Sequence, residues 1–158
     1  MRGTRAIALL TLAVGMLTGC AKADVAQLLE QYQWEKRLIF VFAPAVEDAA
    51  LKQQLQWLRA DASGMAERDT LQWVVVHDAF VTLDATPYPQ LGTRAFYRHF
   101  NIAPDAFTVL LIGKDGEEKF RSSSPVKAAR FAAIIDRMPM RQREATTHHT
   151  GREGSPSP

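Results

Sequence analysis

Two runs rich in apolar, β-branched and aromatic residues constrain this chain most: Leu38 to Ala43 (LIFVFA) and Leu71 to His77 (LQWVVVH). The first is apolar on both faces and stops at Pro44, as a central strand covered from both sides must be. Between the two runs Leu51, Leu55 and Leu58 recur at i, i+4 and i+7 in a stretch ending near Ser63-Gly64. That spacing predicts a helix of about three or four turns with one buried stripe. Two buried strands joined by a helix form a parallel βαβ unit.

The remaining elements fall in order around this unit. Val25, Leu28, Leu29 and Tyr32 have helical spacing and predict a short helix ahead of the first strand. Thr82 to Gly92 carries Pro87, Pro89 and Gly92 and reads as a loop. Ala95, Phe96, His99 and Phe100 mark a helix that ends before Asn101 and Pro104. Thr108 to Ile112 is a further apolar run, followed by Lys114-Asp115-Gly116, and Asp-Gly between two strand-like runs signals a hairpin. Ser124 before Pro125 predicts a capped helix start, with Phe131, Ile134, Ile135 and Met138 at i, i+3, i+4 and i+7. From Ala145 the chain is rich in Thr, His, Gly, Ser and Pro without periodicity, and residues 145–158 are expected to be disordered. The expected fold is α/β: a mixed sheet with helices on both faces, ordered β-α-β-α-β-β-α behind an extra N-terminal helix. That is the thioredoxin-like order.

The N-terminus reads as an export signal. Two arginines in Met1 to Arg5 precede an apolar run, Ala6 to Leu17, too short to span a bilayer as a stable helix. Leu17-Thr18-Gly19-Cys20 resembles the lipobox of bacterial lipoproteins, making residues 1–19 the leader and Cys20 the lipidation site. Ala21-Lys22-Ala23 also fits ordinary cleavage after residue 23. Lipidation is favoured, because a lone cysteine directly after Leu-Thr-Gly at the end of an apolar run is a specific coincidence. The expectation is therefore an outer-membrane lipoprotein facing the periplasm, or else a soluble periplasmic or secreted domain. Membrane contact would come only through the lipid.

Cys20 is the chain's single cysteine. A mature domain spanning 24–144 then has no disulfide and no thiolate chemistry. The full chain has 19 Lys+Arg against 17 Asp+Glu; removing Arg2 and Arg5 with the leader leaves equal numbers, which argues against bulk nucleic-acid binding. Bases are nonetheless concentrated between Arg94 and Arg143.

Tyr32-Gln33-Trp34 with Arg37, Phe42-Ala43-Pro44, Gly113-Lys114-Asp115-Gly116 with Lys119 and Arg121, and Met138-Pro139-Met140-Arg141 resemble a family of unknown function. Its domains occur in equarin-like and sushi-repeat extracellular proteins of animals and as small exported single domains in bacteria. The resemblance covers roughly Val25 to Glu144 and implies a fold similar to peroxiredoxins and thioredoxins. Those enzymes need an activated cysteine just after the first central strand. This chain has Ala43-Pro44-Ala45-Val46-Glu47 there, so no catalytic residue and no cofactor is expected. The alternative is an oxidoreductase related to that fold, or an enzyme using non-thiol chemistry.

No metal site is expected. His77 ends a buried strand, His99 lies on a helix, and His148-His149 are in the tail, with no ligand spacing joining them. Lys114, Lys119, Arg121, Arg141 and Arg37 form the candidate binding set for an unknown envelope protein or an anionic ligand. Lys119 and Arg121, two apart on one strand, are expected on the same sheet face, where guanidinium groups hold carboxylates or phosphates by paired hydrogen bonds. The competing reading is structural: Arg121 and Arg141 pair with acids such as Asp115 or Asp136 and brace the hairpin against the last helix.

Overall fold

The computed structural model describes residues 24–150. The leader, Cys20 and residues 151–158 lie outside the described residues, and with them the expectations about export and lipidation. Helix α1 (Val25–Tyr32) leads into β1 (Arg37–Ala43), which is followed by α2 (Ala49–Ala60) and α3 (Ala62–Glu67). Strands β2 (Thr70–Val76), β3 (Phe80–Leu83) and β4 (Thr86–Pro87) come next, then α4 (Thr93–His99). The hairpin is β5 (Thr108–Ile112) and β6 (Glu118–Ser122), and α5 (Ala128–Ile135) and α6 (Pro139–Thr150) close the described chain.

The strands form one sheet in the order β4-β3-β2-β1-β5-β6, with β1 parallel to β2 and antiparallel to β5. Every residue of β1 is buried, because alternate side chains enter two separate cores. Leu38, Phe40 and Phe42 join Trp73, Phe96 and Phe100 beneath α1 and α4. Ile39, Val41 and Ala43 join Val74, Leu111 and Phe131 beneath α2, α3 and α5. Phe40 is in ring contact with Trp73, Phe96 and Phe100 at centroid distances of 5.8, 6.0 and 4.8 Å. Among the described residues no helix is long and apolar enough to cross a membrane.

Four elements of secondary structure depart from the sequence reading. The stretch read as a loop from Thr82 carries strand pairing, since Thr82 and Val81 pair with Val74 and Val75 and Leu83 pairs with Thr86. Its turn residues Asp84 and Ala85 both have positive φ, 45° and 66°, as a two-residue hairpin turn requires, but without the glycine that usually signals one. The single helix expected after β1 is two, interrupted at Asp61, whose φ of −129° is not helical.

Ser124-Pro125 does not begin a helix. The buried Gln54 side chain donates to the Val126 carbonyl at 2.9 Å and accepts from the Val126 N–H at 2.6 Å, which holds this segment to α2, and α5 starts only at Ala128. Residues 145–150, the described part of the expected disordered tail, continue α6 as far as Thr150. Thr146 and Thr147 return hydroxyl hydrogen bonds to the carbonyls of Gln142 and Arg143 at 2.9 and 3.0 Å.

Replacing Gln54 with Leu strips both buried Val126 backbone groups of their partners, and each such loss costs about 1 to 3 kcal/mol. Urea unfolding should show a loss of roughly 2 to 4 kcal/mol with an unchanged slope; a change below about 0.5 kcal/mol would show that Val126 finds other partners.

Candidate functional site

The strands bring three of the five candidate bases to one end of the sheet. Arg37 opens β1 with opposite parity to Leu38, so it points to the α2/α5 side, and it is completely buried. Its Nη1 donates to the Arg68 carbonyl at 2.8 Å, and Nη1 and Nη2 reach the two Glu144 carboxylate oxygens at 3.2 and 3.3 Å. Lys114, also buried, follows β5 into the hairpin turn, and its Nζ contacts Glu144 at 2.7 Å and Asp69 at 2.9 Å. Arg141, one turn before Glu144 on α6, donates to Glu67 at 3.0 Å and lies 3.6 Å from Asp136 and 4.0 Å from Glu144. Glu144 is thus the point on which Arg37, Lys114 and Arg141 converge.

The acids complete the ring. Arg68 grips Asp136 with two hydrogen bonds of 2.9 and 2.8 Å. Asp69 sits in the turn into β2 at φ 51°, with Lys36 as well as Lys114 on its carboxylate. The Lys114 hydrogen bond holds the Asp69 carboxyl below its ordinary range, and the Arg68 hydrogen bond does the same to Asp136. Burial would push the Glu144 carboxyl up, but hydrogen bonds from Lys114 and Arg37 outweigh it and hold the group below its usual value.

Lys119 and Arg121 do not join this ring, and they do not share a face. In the β5–β6 register Leu111 pairs with Phe120 and Ile112 with Glu118, so Lys119 is left over as a bulge and the alternation breaks. Lys119 turns back over the hairpin to Asp115 and Glu117, at 2.5 and 2.8 Å. Arg121 lies on the α4 side, held by Glu118 at 2.7 Å and by the Phe100 carbonyl at 3.2 Å. The sequence named the bases but missed Glu144, Asp69 and Glu67, because their shortest contacts with the bases cross long separations in the chain; Arg37 and Glu144 are 107 residues apart.

At the opposite end of β1 stands Ala43-Pro44-Ala45, without a nucleophile. Tyr97 donates its hydroxyl to the Ala43 carbonyl at 2.7 Å, and burial pushes this phenol up to about 12. His77 packs its ring edge on Tyr97 with centroids 5.1 Å apart, and Asp78 beside it is tied to Arg94 at 3.0 Å. Asp48 caps α2 by accepting from the Leu51 N–H at 2.8 Å. Among the described residues no group of three or more His, Asp or Glu side chains is placed to hold a metal ion.

Residues 28–144 match a protein family described as a domain of unknown function, DUF4174. This chain belongs to that family. The chain is 29% identical over 145 aligned residues to coiled-coil domain-containing protein 80 of Danio rerio, a match covering 79% of this chain and 17% of that protein. The chain therefore spans less than a fifth of that relative's length. Among solved structures it is similar to the reduced 2-Cys peroxiredoxin of Plasmodium vivax, with a TM-score of 0.53 and 15% identity over 78% of this chain and 84% of that one. Plasmodium yoelii thioredoxin peroxidase I aligns with a TM-score of 0.50 and 17% identity over 82% of this chain and 83% of that one. At these identities the likeness concerns the fold, which is thioredoxin-like: a mixed sheet with helices on both faces.

Glu144→Gln removes the shared carboxylate while keeping its shape, leaving Arg37 buried against a neutral amide. A broken buried pair costs about 3 to 5 kcal/mol; with 22% of the Glu144 side chain exposed, a loss of roughly 2 kcal/mol at pH 7 is expected. Because the folded-state value is lowered, this contribution is complete above the ordinary carboxyl value of 4.5 and is lost as pH falls through the lower folded value. Thermal melting across pH 7 to 3 should show the gap between native and variant narrowing on acidification; a constant gap would contradict the ion-pair account.

Proposed function

We propose that this chain is an exported, non-catalytic binding or accessory domain of a bacterial cell envelope, built on a thioredoxin-like fold that has given up thiol chemistry. The observation that carries this reading is the end of β1. Ala43-Pro44-Ala45 occupies the place where oxidoreductases of this fold carry their attacking thiol, and the Ala43 carbonyl is taken up by the Tyr97 hydroxyl. The one cysteine, Cys20, lies at the end of the leader-like segment, where lipidation would tether the domain to the outer membrane and ordinary cleavage would remove it. With no thiolate, neither hydroperoxide reduction nor disulfide exchange has a nucleophile.

The chain produced in a Gram-negative host is the material for the test. Intact mass and fractionation should show either diacylglycerol-modified Cys20 in the outer-membrane fraction or a soluble product beginning at Asp24. In either form it should turn over neither hydroperoxides nor disulfides, and in-cell crosslinking should trap a reproducible envelope partner. Turnover that survives Cys20→Ser would overturn the non-catalytic reading, and an uncleaved cytoplasmic product would overturn export.

A further inference from the structure

A cavity of about 320 Å³ opens beside the ion-pair ring, between the β5–β6 turn and the junction of α5 with α6. Its walls divide by chemistry. Arg37, Lys114, Lys119 and Arg137 supply its charged lining, and Ile134, Met138 and Met140 its apolar lining. Asp115 is the acid in the wall and is already engaged by Lys119.

Two residues that line the cavity keep a donor that no internal ion pair uses. Arg37 spends Nη1 and Nη2 on Glu144 and the Arg68 carbonyl, while its buried Nε–H has no hydrogen-bond partner. A buried polar donor without a partner is rare in folded proteins and costs free energy. Arg137 is exposed, and no acid lies within ion-pair distance of it among the described residues. Gly113 is also part of this wall. A Cβ there would meet Asp115 Oδ1 at 2.6 Å and Lys119 Cε at 2.8 Å, so the absence of a side chain lets these groups fold over the turn beside the cavity.

The geometry points to a binding site for a small amphiphilic carboxylate, its head between Arg137 and the Arg37–Lys114 edge and its apolar chain along Ile134, Met138 and Met140. A carboxylate suits this wall because the exposed Arg137 guanidinium is left without an acid among the described residues, while Asp115 is neutralised by Lys119. At roughly 30 Å³ per packed water-sized atom, the volume admits about ten non-hydrogen atoms, the size of a medium-chain fatty acid. The site lies at the N-terminal end of β1, away from the Ala43 end.

This assignment rests on the reading of the domain as a binding module. Octanoate, octyl phosphate and octanol are titrated into the purified chain, with the Gly113, Lys119 and Met138 amide resonances followed by NMR. Octanoate should shift these amides saturably, octanol should bind at least tenfold more weakly, and Arg137→Glu should weaken octanoate at least tenfold with unchanged melting. Arg137→Gln should fall between the two. Absence of a saturable shift, equal binding of octanol, or indifference to both Arg137 substitutions would overturn the site. Tighter binding of octyl phosphate than of octanoate would overturn the carboxylate assignment in favour of a phosphate head. Hydroperoxide turnover by the same preparation would overturn the binding-module reading, whereas failure of octanoate with no turnover overturns the pocket alone.

Discussion

A fully buried arginine at the first position of the central strand sets conditions that the rest of the fold meets. A guanidinium is a permanently charged group, and burying one without an anion would cost several kcal/mol. Glu144, near the C-terminal end of the family-matched region, answers it with both carboxylate oxygens. The last helix must therefore lie across the start of the first strand, carrying Arg141 to Glu67, while Lys114 brings the β5–β6 turn to the same carboxylate. Chain segments from both halves of the domain are fastened at one end of the sheet by few groups. Such a pair is weak evidence for high stability, since packed apolar residues often do as well; its effect is to specify where α6 docks.

The apolar framework was legible because it depends on local pattern. The Leu38 to Ala43 run, the helical leucines after it and Asp115-Gly116 each carry a periodic or turn signal, and the sheet contains β1, β2 and the β5–β6 hairpin where those signals stand. Departures arise where a tertiary contact or an unmarked turn decides. Asp84 and Ala85 take left-handed conformations without glycine, which hid β3 and β4. Gln54 pins Val126 from 72 residues away and delays α5, and the docking of Glu144 belongs to a helix whose last turns have no apolar stripe to announce them. The candidate bases stood out by residue type, and Asp115 and Asp136 were named among the acids, but Glu144, Asp69 and Glu67 were not, and the Lys119 bulge reversed the face expected from strict alternation.

The two ends of β1 have come to differ in chemistry. In oxidoreductases of this fold the C-terminal end of the first central strand carries the thiol, whereas this domain closes it with Tyr97 against the Ala43 carbonyl and leaves His77 and Asp78 at its margin. Charge is concentrated instead at the N-terminal end, where carboxylates held below their ordinary range and a close-set ring of ion pairs stand beside a cavity. Fold likeness to peroxiredoxins does not by itself assign a reaction, and function has to be sought from the site rather than from the fold.

The most direct measurement is a double-mutant cycle between Arg37→Met and Glu144→Gln, with unfolding free energies taken from urea denaturation at pH 7. If the buried guanidinium and this carboxylate together fix the last helix on the first strand, the two changes will be strongly non-additive, with a coupling of about 2 kcal/mol and the double variant more stable than the sum of the single losses implies. Additivity to within about 0.5 kcal/mol would show that Arg37 is satisfied without Glu144 and that α6 is held in place by other contacts.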